Sequence, residues 1–186
     1  PAFARHWLTP RLGDFNRQHP QVDLWLFTSF EPPNMATDSI DLAIRDDLSA
    51  QADCTFNLLC SDRLYPACHP SLLALAAEQR VTLHGEREMD WSHWTVAGGA
   101  HVGQRDSGLN FSDPGLLLDA ACNGLGIALV SQLLAQHAHD AGLLQPLTEQ
   151  RVRGANWAWL LHRDSEHNPL ARHFCQWLQS ALPAGA

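Results

Sequence analysis

The run Asn123-Gly124-Leu125-Gly126-Ile127-Ala128-Leu129-Val130 constrains the fold more than any other part of this chain, because it stops a helix at glycines and passes straight into a buried strand. Upstream, Ser112-Asp113-Pro114 supplies a cap and a proline at the first helical position, and Leu116, Leu117, Ala120 and Ala121 supply an apolar stripe. A side-chain oxygen accepts from the orphan amides of a helix start, and proline loses nothing there because its missing N–H would have had no partner. Asn123-Gly124 then provides the left-handed residue that closes a helix. Capped helix, glycine pair and apolar strand make an αβ unit, which on pattern alone belongs to any α/β domain.

The remaining elements extend that pattern. Trp7, Leu8, Leu12 and Phe15 at helical spacing predict an opening helix, with Thr9-Pro10 as a fresh cap or a kink and Pro20 as its end. Val22 to Phe27 is nearly continuously apolar, which predicts a strand covered on both faces. A turn at 31–34, a short helical turn at 34–39 and a second buried strand at 41–45 imply a parallel sheet. Strands follow at 55–60 and 63–68, broken at Ser61-Asp62, and Pro66 marks the second as an edge or irregular strand. A helix is predicted over 71–78, an extended piece over 81–84, a short helix over 91–96 and a loop over 98–103. A helix capped by Ser131 and stopped by Gly142, a strand at 157–162 and a final helix capped by Asn168-Pro169 complete the reading.

Composition excludes several classes of function. Twelve Lys plus Arg against 20 Asp plus Glu make the chain acidic, whereas a duplex-binding surface needs clustered cations to displace counterions. Five cysteines, at 54, 60, 68, 122 and 175, form no CxxC pair, which argues against a disulfide framework and a zinc ribbon and fits a reducing, cytoplasmic compartment. Cys54, Cys60 and Cys68 read as small core residues. No apolar run approaches the roughly 18 residues of a membrane span. The start at Pro1-Ala2-Phe3 suggests a piece of a longer protein.

Chemical motifs are scarce. Gly124-Leu125-Gly126 lacks a third glycine and ends a helix instead of opening one, so no helix-start amides face a pyrophosphate and no dinucleotide is expected. His137 and His139 diverge on a helix, and His167 and His173 have no carboxylate or thiol at ligand spacing, so no metal is expected. No G-x-S-x-G elbow is present. Asp46-Asp47 and Glu86 with Glu88 sit in turns and read as solvated charges. No cofactor and no enzymatic activity follow from these residues.

Five segments in register resemble one family: F-A-R-H-W-L-T-P-R-L-G-D-F at 3–15, H-P-Q-V-D-L at 19–24, S-I-D-L-A-I-R at 39–45, L-Y-P-A-C-H-P-S-L-L at 64–73 and L-N-F-S-D-P-G-L-L-L-D-A-A-C-N-G-L-G-I-A-L-V at 109–130. Together they resemble the effector-binding domain of LysR-type transcriptional regulators, in the branch of the glycine-cleavage activator and the beta-lactamase regulator. The resemblance implies two α/β lobes of the type 2 periplasmic-binding-protein kind with a ligand cleft between them. The first lobe would hold 1–61 plus 165–186 and the second 62–164. It also implies a strand before Pro1 that is missing here, so that either the chain has been cut or a further segment completes the first sheet, and an N-terminal winged helix, absent from this chain, through which alone DNA is bound.

By the same resemblance the partners are a small-molecule effector and further copies of the chain in a homodimer or homotetramer, with no membrane. Carried over by position, the effector site comprises Ala2, Phe3, Thr28, Ser29, Arg45, Asn110, Phe111, Ser112, Asp113 and Val130. Ala2 stands where many relatives have a hydroxyl, and Ser112-Asp113-Pro114-Gly115 where many have D-S-S or D-T-S, so two hydroxyls and a backbone donor to an anionic effector are lost. Arg45 and Arg105 remain as cations for a carboxylate, or are exposed loop charges. The expected effector is small and polar or amino-acid-like. Trp7 or Phe15 on the first helix would serve subunit pairing if exposed and the core if not. Two competing readings are a transporter's solute-binding receptor and an enzyme on the same fold, such as a deaminase-like lyase, for which no catalytic pair is visible.

Overall fold

In a computed structural model of the chain, residues 1–35, 37–47, 51–103 and 105–182 are described. The opening helix winds widely over Phe3–Leu8, tightens at Thr9–Arg11 and settles into α1, Leu12–Gln18. Pro10 lies where the winding changes, so its missing amide is accommodated by altered pitch within one continuous helix. In chain order there follow β1 (Leu42–Arg45), β2 (Cys54–Cys68), β3 (Val81–Gly85), α2 (Trp91–Val96), β4 (Arg105–Phe111), α3 (Pro114–Cys122), β5 (Ala128–Ser131), α4 (Gln132–Asp140), β6 (Gln145–Pro146), β7 (Val152–His162) and α5 (Pro169–Ala181). The protein is mixed α/β.

The chain packs as two units. The first holds Pro1, Leu8–Ser61 and everything from Ala155 on, and the second holds Ala2–Trp7 and Asp62–Gly154. Within the first, β1 pairs antiparallel with the end of β7, from Leu42 opposite Leu161 to Arg45 opposite Ala158. Its aromatic centre is Phe15, edge-on to Phe174 at 5.1 Å and tilted against Trp177 at 5.1 Å, an arrangement that suits the ring quadrupoles. Within the second, the end of β2 pairs antiparallel with β5, Leu64 opposite Ser131 and Ala67 opposite Ala128, while β3 and β4 run parallel. Leu64, Trp94, Leu129 and Val152 form one of its core clusters.

The glycine joint belongs to the second unit. Asp113 Oδ1 accepts from Gly115 N at 2.8 Å at the start of α3. At its end Gly124 takes a φ of 76°, and Leu125 N donates to Ala120 O at 3.1 Å, which satisfies a carbonyl the helix would leave open. Gly126 is required for a different reason: a Cβ there would lie 2.8 Å from Val81 O and 3.0 Å from Leu83. That close approach lets Ile127 exchange backbone bonds with β3, Ile127 N to Val81 O and Leu83 N to Ile127 O, both 2.8 Å.

Several expected elements differ. Val22 to Phe27 is not a strand: no ladder forms there, and Trp25 and Phe27 are 75% and 77% exposed. An apolar run has strand propensity, but a strand exists only by pairing, and no described segment pairs with this one. The parallel sheet expected from 22–27 and 41–45 is therefore absent, and β1 is antiparallel to β7. The predicted break at Ser61-Asp62 is instead the middle of one continuous strand. Asp62 stays in it because its buried carboxylate is satisfied, accepting from Ser131 Oγ and, at 3.1 Å, from Leu133 N. Pro66 is interior: Leu129 lies opposite on one side, and Leu147 N donates to its carbonyl at 2.9 Å.

The segment 71–78 forms two short tight turns, Pro70–Leu72 and Ala77–Gln79, in place of a helix. The Arg80 guanidinium takes the carbonyls of Leu73 and Leu75, both at 3.0 Å. Trp7 and Phe15 are both core, at 0% and 2% exposure, so neither is a surface for subunit pairing. Cys60 and Cys68 are buried as expected, whereas Cys54 is half-buried, and all five cysteines are free. The short helical turn after Asn34, the helices from Trp91, Pro114, Gln132 and Pro169, and the strands at 42–45 and 157–162 lie where the sequence puts them.

Candidate functional site

The ten candidate positions fall into two sets. Thr28, Ser29 and Arg45 belong to the first unit, and Ala2, Phe3, Asn110, Phe111, Ser112, Asp113 and Val130 to the second.

In the first unit the fold ties two of its three positions into one corner. Ser29 Oγ accepts from Glu31 N at 3.0 Å, and Glu31 O accepts from Arg45 Nη1 at 3.2 Å. Thr28 and Ser29 are exposed. Arg45 ends β1 with its guanidinium turned to Asp47, Nε to Oδ1 and Nη2 to Oδ2, each 2.8 Å. This fork-on-fork geometry is the strong form of an ion pair. The Asp47 hydrogen bonds hold the Arg45 pKa above its ordinary value against the opposing effect of burial, and the charges of Asp47, Asp46 and Glu31 act in the same direction as those bonds. Asp47, read from the sequence as a solvated turn charge, is thus half of an ion pair.

In the second unit the candidate side chains differ in accessibility. Ala2 and Phe3 are 6% and 5% exposed, Phe3 stacking on Trp7 at 5.0 Å, and Val130 is 2% exposed. Asn110, on β4, is exposed and bonds back to Gly108 O at 3.1 Å. Ser112 is exposed, and Phe111 and Asp113 are half-buried. Asp113 caps α3, as its place before Pro114 predicts. The side chain of Arg105 lies outside the described residues.

Two further groups bind the opening segment to α3. Arg5 Nη2 lies 3.0 Å from Asp119 Oδ2, and His6 Nε2 lies 3.8 Å from Asp119 Oδ1. Burial lowers the His6 pKa, while the charges of Asp119 and Asp113 work the other way. Sequence reading missed His6, Asp119, Glu31 and Asp47. The available signal was an acid two residues beyond a strand-ending arginine, and Arg5-His6 on the face of a helix whose partner helix carries Asp119. No group of three or more His, Cys, Asp or Glu side chains among the described residues is placed to hold a metal ion. No described helix is long and apolar enough to cross a membrane.

A family model described as the LysR substrate binding domain matches residues 1–183. The chain belongs to the LysR substrate-binding domain family. Among curated relatives, this LysR domain is similar to the glycine cleavage system transcriptional activator of Escherichia coli K12, 28% identical over 195 residues that cover 99% of the chain and 63% of the relative. It is similar also to the transcriptional activator AmpR of Citrobacter freundii, 29% identical over 191 residues, 97% of the chain and 64% of the relative. The chain thus spans less than two thirds of these relatives' length. Its fold is that of solved LysR effector domains. The AmpR effector domain of Pseudomonas aeruginosa superposes with a TM-score of 0.75 at 24% identity, covering 97% of this chain and 91% of that one. The CrgA regulatory domain of Neisseria meningitidis gives 0.70 at 20% identity, covering 98% and 95%. The matched relatives are transcriptional regulators, which does not favour a transporter's receptor.

Proposed function

We propose that this LysR domain is the ligand-sensing part of a cytoplasmic transcriptional regulator and controls the full protein's hold on DNA by binding a small polar or amino-acid-like effector. The observation that carries the reading is the family match along nearly the whole chain. In this reading 1–61 with 165–186 and 62–164 are the two lobes, and the effector lies between them. Ala2, Phe3, Thr28, Ser29 and Arg45 approach it from the first lobe, and Asn110 to Asp113 and Val130 from the second. The burial of Ala2, Phe3 and Val130 makes them shapers of the site through backbone and packing, leaving Thr28, Ser29, Asn110 and Ser112 as the exposed polar contacts.

Such a domain works as a switch only through differential affinity: the effector shifts the balance between two arrangements of the regulator by as much as it prefers one of them. DNA is contacted through a winged helix outside this chain, which is compatible with the chain's acidic charge. Pairing of domains into a homodimer or homotetramer transmits the change. Isothermal calorimetry and thermal shift against a metabolite panel test the reading. Binding of a polar amino-acid-like compound that weakens on Ser29→Ala and Asn110→Ala supports it, and a panel in which only apolar aromatics bind overturns it. Sedimentation that finds monomer alone at high concentration removes the pairing.

A further inference from the structure

We propose that Asp47 is a built-in carboxylate that occupies Arg45 and thereby sets the charge specificity of the first unit's corner against effectors that present a carboxylate there. The inference rests on the effector-sensing reading and names the chemistry at one of its proposed contacts.

The geometry is that of a filled carboxylate site. Both Asp47 oxygens are aligned on the Nε and Nη2 donors of Arg45 at 2.8 Å, and Nη1 donates to Glu31 O at 3.2 Å, so the three nitrogens of the guanidinium are each engaged within the chain. Only 16% of the Arg45 side chain is exposed, against 36% for Asp47. An arginine so placed has already lost much of its hydration and regained it as charge-assisted bonds, so an incoming carboxylate must displace Asp47 to take the same Nε–Nη2 fork. It also meets repulsion, because Asp46 and Glu31 act on the same guanidinium and carboxylates outnumber it. A neutral polar group or an amine at this point meets neither obstacle. The exposed hydroxyl of Ser29, not the arginine, is the donor this corner has to offer.

The experiment is an acetate titration of the full chain, followed by the NMR signal of the Arg45 side-chain Nε–H, with sodium chloride at equal ionic strength as the reference. In Asp47→Ala the vacated fork takes up acetate, and the signal moves with a midpoint at least about tenfold lower than in wild type, the scale of a lost charge-assisted bond. Asp47→Glu, which keeps the carboxylate, behaves as wild type. Asp47→Asn, close to isosteric, carries the same comparison should the alanine variant fail to fold. Equal responses in wild type and variant, or no response in the variant, overturn the proposal. An acetate response without any metabolite binding would sink the sensing reading and leave Asp47 as the arginine's counter-ion. Metabolite binding without an acetate response would do the reverse.

Discussion

Two largely apolar runs of this chain, Val22 to Phe27 and Ile127 to Val130, have opposite fates. Ile127, Ala128 and Leu129 are fully buried and Val130 nearly so, and residues 128–131 are laddered to β2. Trp25 and Phe27 stand in solvent on backbone with no ladder. The difference lies in what surrounds each run. The second is aimed by a capped helix and a glycine pair, and strands with free donors and acceptors lie on both sides of it. The first follows a helix but meets no described partner. Apolar character makes a segment available for a sheet, and hydrogen-bonding neighbours decide whether it joins one.

The largest test of this contrast is removal of buried volume. Leu129→Ala is expected to cost about 3 kcal/mol by the cavity it leaves, read as a lower urea midpoint at unchanged slope. A cost below about 1 kcal/mol would mean that β5 is not the keystone of its unit. Next in size is Gly126→Ala, expected to cost about 2 kcal/mol because its Cβ would press on the Val81 carbonyl, against about 1 kcal/mol for Gly124→Ala, where only the positive φ objects. Reversal of that order would show that φ, not crowding, sets the joint.

Ser131→Ala should cost about 1 kcal/mol by leaving Leu134 N and the Asp62 carboxylate short of a partner. The pH dependence concerns His6, which lies against Asp119 of α3. Burial holds the folded His6 pKa below the ordinary 6.5, so the unfolded chain binds this proton more readily. Stability from this group is fully present above the unfolded value and falls as pH drops below it. Urea midpoints for wild type and His6→Gln across this range should converge at low pH and separate at neutral pH, and parallel curves would refute the assignment. The smallest effect belongs to the first run: Phe27→Ser should change stability by no more than about 0.5 kcal/mol, since its ring is already in water.

Much of the fold was legible because it rests on local chemistry. Asp113 before Pro114, Ser131, Asn168 before Pro169 and the Asn123-Gly124 stop are bonds within a few residues of one another, and each forms as written. The errors turn on partners that spacing does not name, far along the chain for Asp62 and a few residues away for Arg80. Asp62 looked like a break because its acceptors are met by Ser131 and Leu133, about seventy positions away. The 71–78 helix fails because the Arg80 side chain takes its carbonyls. Of the candidate site, the resemblance supplied the positions, but it carried nothing about burial, and Ala2, Phe3 and Val130 proved to be core.

The sequence by itself determined the starts and stops of the capped helices and the family, since caps, glycines and motif order are one-dimensional. Only the tertiary structure decided which apolar run becomes a strand, which unit claims Ala2–Trp7, and that Arg45 arrives already paired with Asp47. A ladder, a packing surface and the orientation of a guanidinium are relations between groups in space, and spacing along the chain does not encode their direction.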